Sequence, residues 1–249
     1  MRTRALKKST RTATTRKRAI GAADTDRSGD LEEANRVAGY VAHELNNLLT
    51  VIQINTEFLL ESARENPESA EELKEIQTAA KRASILARQL LASSRLEPFD
   101  SGVAEASLKK KTAARFSVAT GKTPRIAETI LLVEDEASVR TLAKKVLSQR
   151  GYRVLEASDG AIALRIAASH VGEIDLILTD VEMPNLGGRG MVEELRELSP
   201  GMRVLFMSGY RKDEVFADAE SAADTPYLQK PFTSETLYSE VRAALGYAQ

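Results

Sequence analysis

The chain has 249 residues, 43% of them hydrophobic, with a net charge of −1, which is enough material for one or two packed domains. It has no cysteine, so disulfides and thiol chemistry are excluded and a reducing compartment is suited. No apolar run approaches the roughly 18 residues needed to span a bilayer, and the N-terminus lacks the apolar stretch of a secretory signal.

Residues 1–30 begin with Arg2, Arg4, Lys7, Lys8, Arg11, Arg16, Lys17 and Arg18 and no acid in the first twenty positions. So polar a stretch is expected to be a disordered basic tail, with a charge suited to nucleic acid or an anionic membrane. From Leu31 the apolar residues recur at helical spacing. Ala38, Leu45, Ile52 and Leu59 are seven apart, with Val41 and Leu48 between them, an a/d stripe. Asn66-Pro67 breaks this helix. Ser69 followed by Glu72 reads as a capping box that opens a second helix, which runs to about Arg95 with Leu73, Ile76, Ala80, Ala83, Ala87 and Leu90 on one face. Residues 31–97 are therefore expected to form an antiparallel helical hairpin. One hairpin cannot cover both stripes, so pairing with a second copy as a four-helix bundle, a homodimer, is expected.

Residues 98–127 are polar, with Gly102, the run Lys109-Lys110-Lys111, Gly121 and Pro124, and read as a linker. Gly121-Lys122-Thr123 resembles the end of a phosphate loop, but Phe116 stands where that motif needs glycine. From residue 128 to 249 the pattern alternates. Short apolar runs at 130–133, 154–157, 176–179, 204–207 and 227–228 read as buried strands. Helical stretches are expected near 137–150, 160–170, 188–198, 211–222 and 233–246. Five β/α repeats predict an open, doubly wound parallel sheet of the flavodoxin type, covered on both faces.

In such a sheet, ligands bind outside the carboxyl ends of the strands, where strand order reverses. Glu134 and Asp135 follow the first strand, Asp180 the third, Ser208 the fourth and Lys230 the fifth. Clustered carboxylates repel one another, which a hard cation such as Mg²⁺ relieves. The cation would hold a phosphoryl group in line with Asp180 as nucleophile. Lys230 supplies a positive charge and Ser208 a hydroxyl donor to phosphoryl oxygens.

Over its whole length, 129–248 resembles a response-regulator receiver domain, on Leu-Leu-Val-Glu134-Asp135-Glu, Thr-Asp180-Val-Glu-Met-Pro184, Met-Ser208-Gly-Tyr and Lys230-Pro231-Phe. The resemblance implies that Asp180 is the phospho-acceptor and that Asp135 and Asp180 ligate Mg²⁺. Glu134 would assist through water, and the backbone carbonyl of Glu182 would complete the site. It also implies that Ser208 and Tyr227 are a switch pair reporting to the face of helix four, strand five and helix five of that fold, and that the 230–231 bond is cis.

His43 is expected on the outer face of the first helix, at an f position exposed to solvent, with Asn47 one turn later. An exposed neutral imidazole can attack phosphorus. Glu44 could orient it or take its proton, and Asn47 could position water for hydrolysis. Around Val-Ala-His43-Glu-Leu-Asn-Asn47-Leu-Leu-Thr, residues 34–96 resemble the dimerisation and histidine-phosphotransfer domain of hybrid histidine kinases. In that family an ATP-binding domain separates hairpin and receiver; only about 30 residues intervene here, without a nucleotide motif, so self-phosphorylation from ATP is not expected. No helix-turn-helix follows the receiver, so output is expected through phosphotransfer or protein contact.

The function expected is that of a cytoplasmic, bacterial phosphorelay protein. A partner histidine kinase or a response regulator would exchange phosphoryl groups with His43 or Asp180. Transfer between the two would need the His43 face to dock over the receiver pocket, and a flexible 30-residue linker reaches roughly 30 Å. The alternative is a receiver-switched dimeric interaction protein that regulates a partner kinase, with His43 inactive.

Overall fold

The structure is a computed structural model. It describes residues 6–63, 66–93, 127–199, 201–216 and 225–247. The expected linker at 98–127 lies almost wholly outside these residues, as does 217–222 of the helix expected near 211–222.

Helix α1 spans Leu6–Ser62 and α2 spans Pro67–Ser93. Helix α1 thus begins within the stretch expected to be a basic tail. No proline precedes Pro67, and Ala, Leu, Arg and Lys are good helix formers. The start of α2 also differs. Pro67 opens the helix, and the Asn66 carboxamide oxygen accepts from the Ser69 N–H at 3.4 Å. Asn66 is thus the cap and Ser69 lies inside the first turn, because proline fits the first helical position, where no N–H is needed.

The receiver half comprises β1 (Thr129–Val133), α3 (Ala137–Gln149), β2 (Arg153–Ala157), α4 (Gly160–Ser169), β3 (Leu176–Asp180), α5 (Gly188–Leu198), β4 (Arg203–Ser208), α6 (Lys212–Val215), β5 (Tyr227–Gln229) and α7 (Ser234–Leu245). All strand pairs are parallel, in the order β2-β1-β3-β4-β5. This is the expected doubly wound sheet. Alternation sends successive residues to opposite faces. Ile130, Leu132, Leu176 and Leu178 pack with α3 and α7, whereas Leu131, Val133, Ile177 and Phe206 pack with α4 and α5.

Helix α1 has three working faces. Leu49 packs with Ala80 and Ala87 of α2. A second face carries Ile54, fully buried in the α3/α7 core of the receiver. The third, with Val41, Leu45, Leu48, Ile52 and Leu59, points outward, Leu48 at 57% and Leu59 at 53% exposure.

Candidate phosphoryl site

Parallel strands that start level also end level, so the chemistry sits along one rim. Asp180 ends β3 and Ser208 ends β4, while Glu134 and Asp135 follow β1 and Lys230 follows β5. The register Val133↔Thr179 and Asp180↔Met207 keeps these ends adjacent. The 134–135 turn is anchored by Arg140 Nη1, which donates to the Glu134 carbonyl at 2.6 Å and the Asp135 carbonyl at 3.1 Å. The Lys230–Pro231 bond is cis.

Lys230 is fully buried. Its ammonium donates to Asp180 Oδ2 at 2.6 Å, Glu134 Oε2 at 2.7 Å and Asn47 Oδ1 at 3.1 Å. Burial pulls its pKa down, but the Asp180 and Glu134 carboxylates outweigh this and hold it above the usual lysine range. Burial pushes the Glu134 carboxyl up to about 7 against the pull of Lys230. Burial, then Asp180, also raises Asp135. Three acids thus face one ammonium, an arrangement that a cation stabilises.

Glu134, Asp135 and Asp180 each offer an oxygen, all within 4.8 Å of one another. Glu134 Oε1 and Asp135 Oδ1 are buried without a partner. An all-oxygen donor set with orphaned acceptors fits a hard divalent cation.

Helix α1 closes this site, and His43 lies there instead of facing solvent. Its side chain is 14% exposed. The expected solvent face is covered because it lies opposite the apolar stripe and the receiver packs on it. Asn47 Nδ2 donates to His43 Nε2 at 3.1 Å. His43 Nδ1 lies 3.0 Å from Glu182 Oε2, so a carboxylate stands against the second ring nitrogen. Burial lowers the imidazole pKa, and Glu182 and Asp180 more than offset it, for a net rise. Together His43, Asn47, Lys230 and Asp180 form one unbroken chain of polar contacts.

The other expected residues fall as follows. Glu44 meets neither ring nitrogen; the next residue along a helix points about 100° away, and the carboxylate beside the ring is that of Glu182. Glu182 also donates its N–H to Asp180 Oδ1 at 3.0 Å. Ser208 Oγ accepts from the Tyr210 N–H at 3.1 Å, and Tyr227 Oη donates to the Tyr210 carbonyl at 2.5 Å. Its ring meets Phe216 edge-on at 6.1 Å. Sequence reasoning missed Asn46, which is fully buried with both amide atoms unpaired. It also missed the Glu182 carboxylate. Neither had a signal, since each is defined by a contact between distant segments.

Residues 130–242 match the response regulator receiver domain, and residues 33–99 match the His Kinase A (phospho-acceptor) domain. Both matched segments are thus similar to domains of two-component signalling proteins. It is 38% identical over 117 residues to the sensor kinase CckA of Brucella abortus (strain 2308), covering 47% of this chain and 12% of that kinase. To the CAI-1 autoinducer sensor kinase/phosphatase CqsS of Vibrio cholerae it is 32% identical, covering 46% and 17%. To the receiver protein CpdR of Brucella abortus (strain 2308) it is 29% identical, covering 47% of this chain and 95% of that protein. The chain thus spans less than a fifth of the two sensor kinases. Among the described residues no helix is long and apolar enough to cross a membrane.

Proposed function

We propose that the protein is a cytoplasmic phosphorelay intermediate in which Asp180 and His43 exchange a phosphoryl group. The observation that carries this reading is the docking of His43 onto the acidic pocket, joined to Lys230 through Asn47. A covalent carrier and an acceptor rim in one polar network have little other chemical use.

Mg²⁺, held by Glu134, Asp135 and Asp180, would neutralise charge on the phosphoryl oxygens. Lys230 and Ser208 hold two of those oxygens. Glu182 faces Nδ1, which leaves Nε2 as the nitrogen for phosphorus once Asn47 swings aside. The P–O bond to the Asp180 carboxylate breaks as the P–N bond to Nε2 forms. Asp180 leaves as a carboxylate, and the Nδ1 proton passes to Glu182 or water. The reverse step restores the acyl phosphate. Ser208 and Tyr227 report the state of Asp180 towards α6, β5 and α7.

The outward stripe Val41, Leu45, Leu48, Ile52 and Leu59, with Ile76 and Leu90 of α2, fits a second copy of the chain. A homodimer would cover it as a four-helix bundle. A partner histidine kinase supplies the phosphoryl group, or a downstream response regulator takes it; self-phosphorylation from ATP is not part of this reading.

Label tracking tests the proposal. The pure protein receives Mg²⁺ and labelled acetyl phosphate. Base-labile label on Asp180, followed by base-stable, acid-labile label on His43, is expected. Label that stays base-labile throughout would reduce the protein to a receiver-switched binding module.

A further inference from the structure

The contact between α1 and the receiver extends far beyond the phosphoryl site. It runs from Gly39 to Phe58, about 28 Å along the helix at 1.5 Å per residue. At the first end, two glycines mark a close approach. A Cβ on Gly39 would lie 3.0 Å from Tyr210 Oη, and a Cβ on Gly209 would lie 2.6 Å from Asn46 Nδ2. Glycine weakens a helix interior, so Gly39 is explained by what it lets come near.

At the other end, Glu57 Oε2 accepts from the Ser234 N–H at 2.8 Å. Ser234 opens α7, so a carboxylate from α1 sits at the positive end of a receiver helix. Lys145 of α3 stands over the Phe58 ring, 3.9 Å from its centroid. Ile54 lies between, inside the receiver core. None of Ile54, Glu57, Phe58 and Lys145 takes part in phosphoryl chemistry.

The geometry points to α1 as a clamp for the chain's own receiver, so that exchange between Asp180 and His43 runs within one chain and not across the dimer. This rests on the exchange proposed above and adds its route. Val41, Leu45, Leu48 and Ile52 lie on the opposite side of α1 from His43, Asn47 and Ile54. A second copy can therefore seat on the stripe without displacing the docked receiver. The bonds made and broken are those already given, with both phosphoryl carriers supplied by one chain.

Two measurements test this with full-length chains and labelled acetyl phosphate. In the first, His43→Ala and Asp180→Ala chains are mixed and equilibrated so that subunits exchange. A cis route leaves the mixture forming base-stable label roughly a hundred-fold more slowly than wild type at micromolar protein, because only an unlinked encounter remains. A mixture within a few-fold of wild type overturns the cis route. In the second, Glu57→Ala/Phe58→Ala is expected to slow His43 labelling roughly ten-fold, as misplacement does, while Asp180 loading stays at least as fast. His43 labelling at the wild-type rate in that variant overturns the clamp. If wild type itself forms no base-stable label, the exchange reading falls with its route; label in the mixture at a rate within a few-fold of wild type removes the cis route alone.

Discussion

The receiver and the hairpin solve burial in different ways. The receiver builds two cores, one on each sheet face, mostly with its own helices, and α1 adds Ile54 to one of them. The hairpin buries little by itself: its internal cluster is Leu49, Ala80 and Ala87 with Ala83 beside it. The rest of α1 is divided between an apolar stripe left outward and a mixed face, with His43 and Asn47 beside Ile54 and Phe58, pressed on the receiver. One unit is a finished fold that carries a site. The other is a connector whose stability depends on what covers it.

The largest effect expected concerns the rim alone. Asp180→Asn should remove acetyl-phosphate labelling to background, since it deletes the nucleophile, while thermal melting shows the receiver still folded. Next, Leu45→Asp/Ile52→Asp should halve the mass measured by light scattering. Charges cannot be buried between hairpins without a partner, and the receiver transition should be unchanged. A dimer that survives would mean that the stripe is not the interface.

A third variant separates docking from folding. Ile54→Ala should cost about 2–4 kcal/mol of docked-state stability by leaving a cavity, read as a melting temperature below that of the wild-type full chain. The smallest effect is at the cap. Glu57→Gln keeps the shape and removes the charge, and should cost about 1 kcal/mol, measured in the same melt. If Ile54→Ala and Glu57→Gln shift nothing, the two units are independent and the contrast between them dissolves.

Much of the receiver is written locally. Runs such as Ile130–Val133 and Leu176–Thr179 are apolar because a parallel sheet is covered on both faces. The carboxyl-end rule then places Glu134, Asp135, Asp180, Ser208 and Lys230 together without any coordinates. The heptad stripe was equally legible, and the structure leaves it turned outward. His43 was not. Its heptad position showed only that it lies away from the stripe, and solvent was the default occupant of that face. Asn46 looked like any polar helix residue, and only the fold shows it buried with Gly209 close against its side chain.

The order of elements, the identity of the rim residues and the outward stripe were thus determined by the sequence by itself, because each depends on periodicity or on strand ends within one segment. Tertiary structure decided that Glu182 and not Glu44 stands beside His43. It also decided that Asn47 reaches Lys230 and that Glu57 caps α7. Those contacts join segments 139, 183 and 177 positions apart. No local preference encodes such pairings; they arise when two surfaces, each folded for its own reasons, fit closely enough to exclude water.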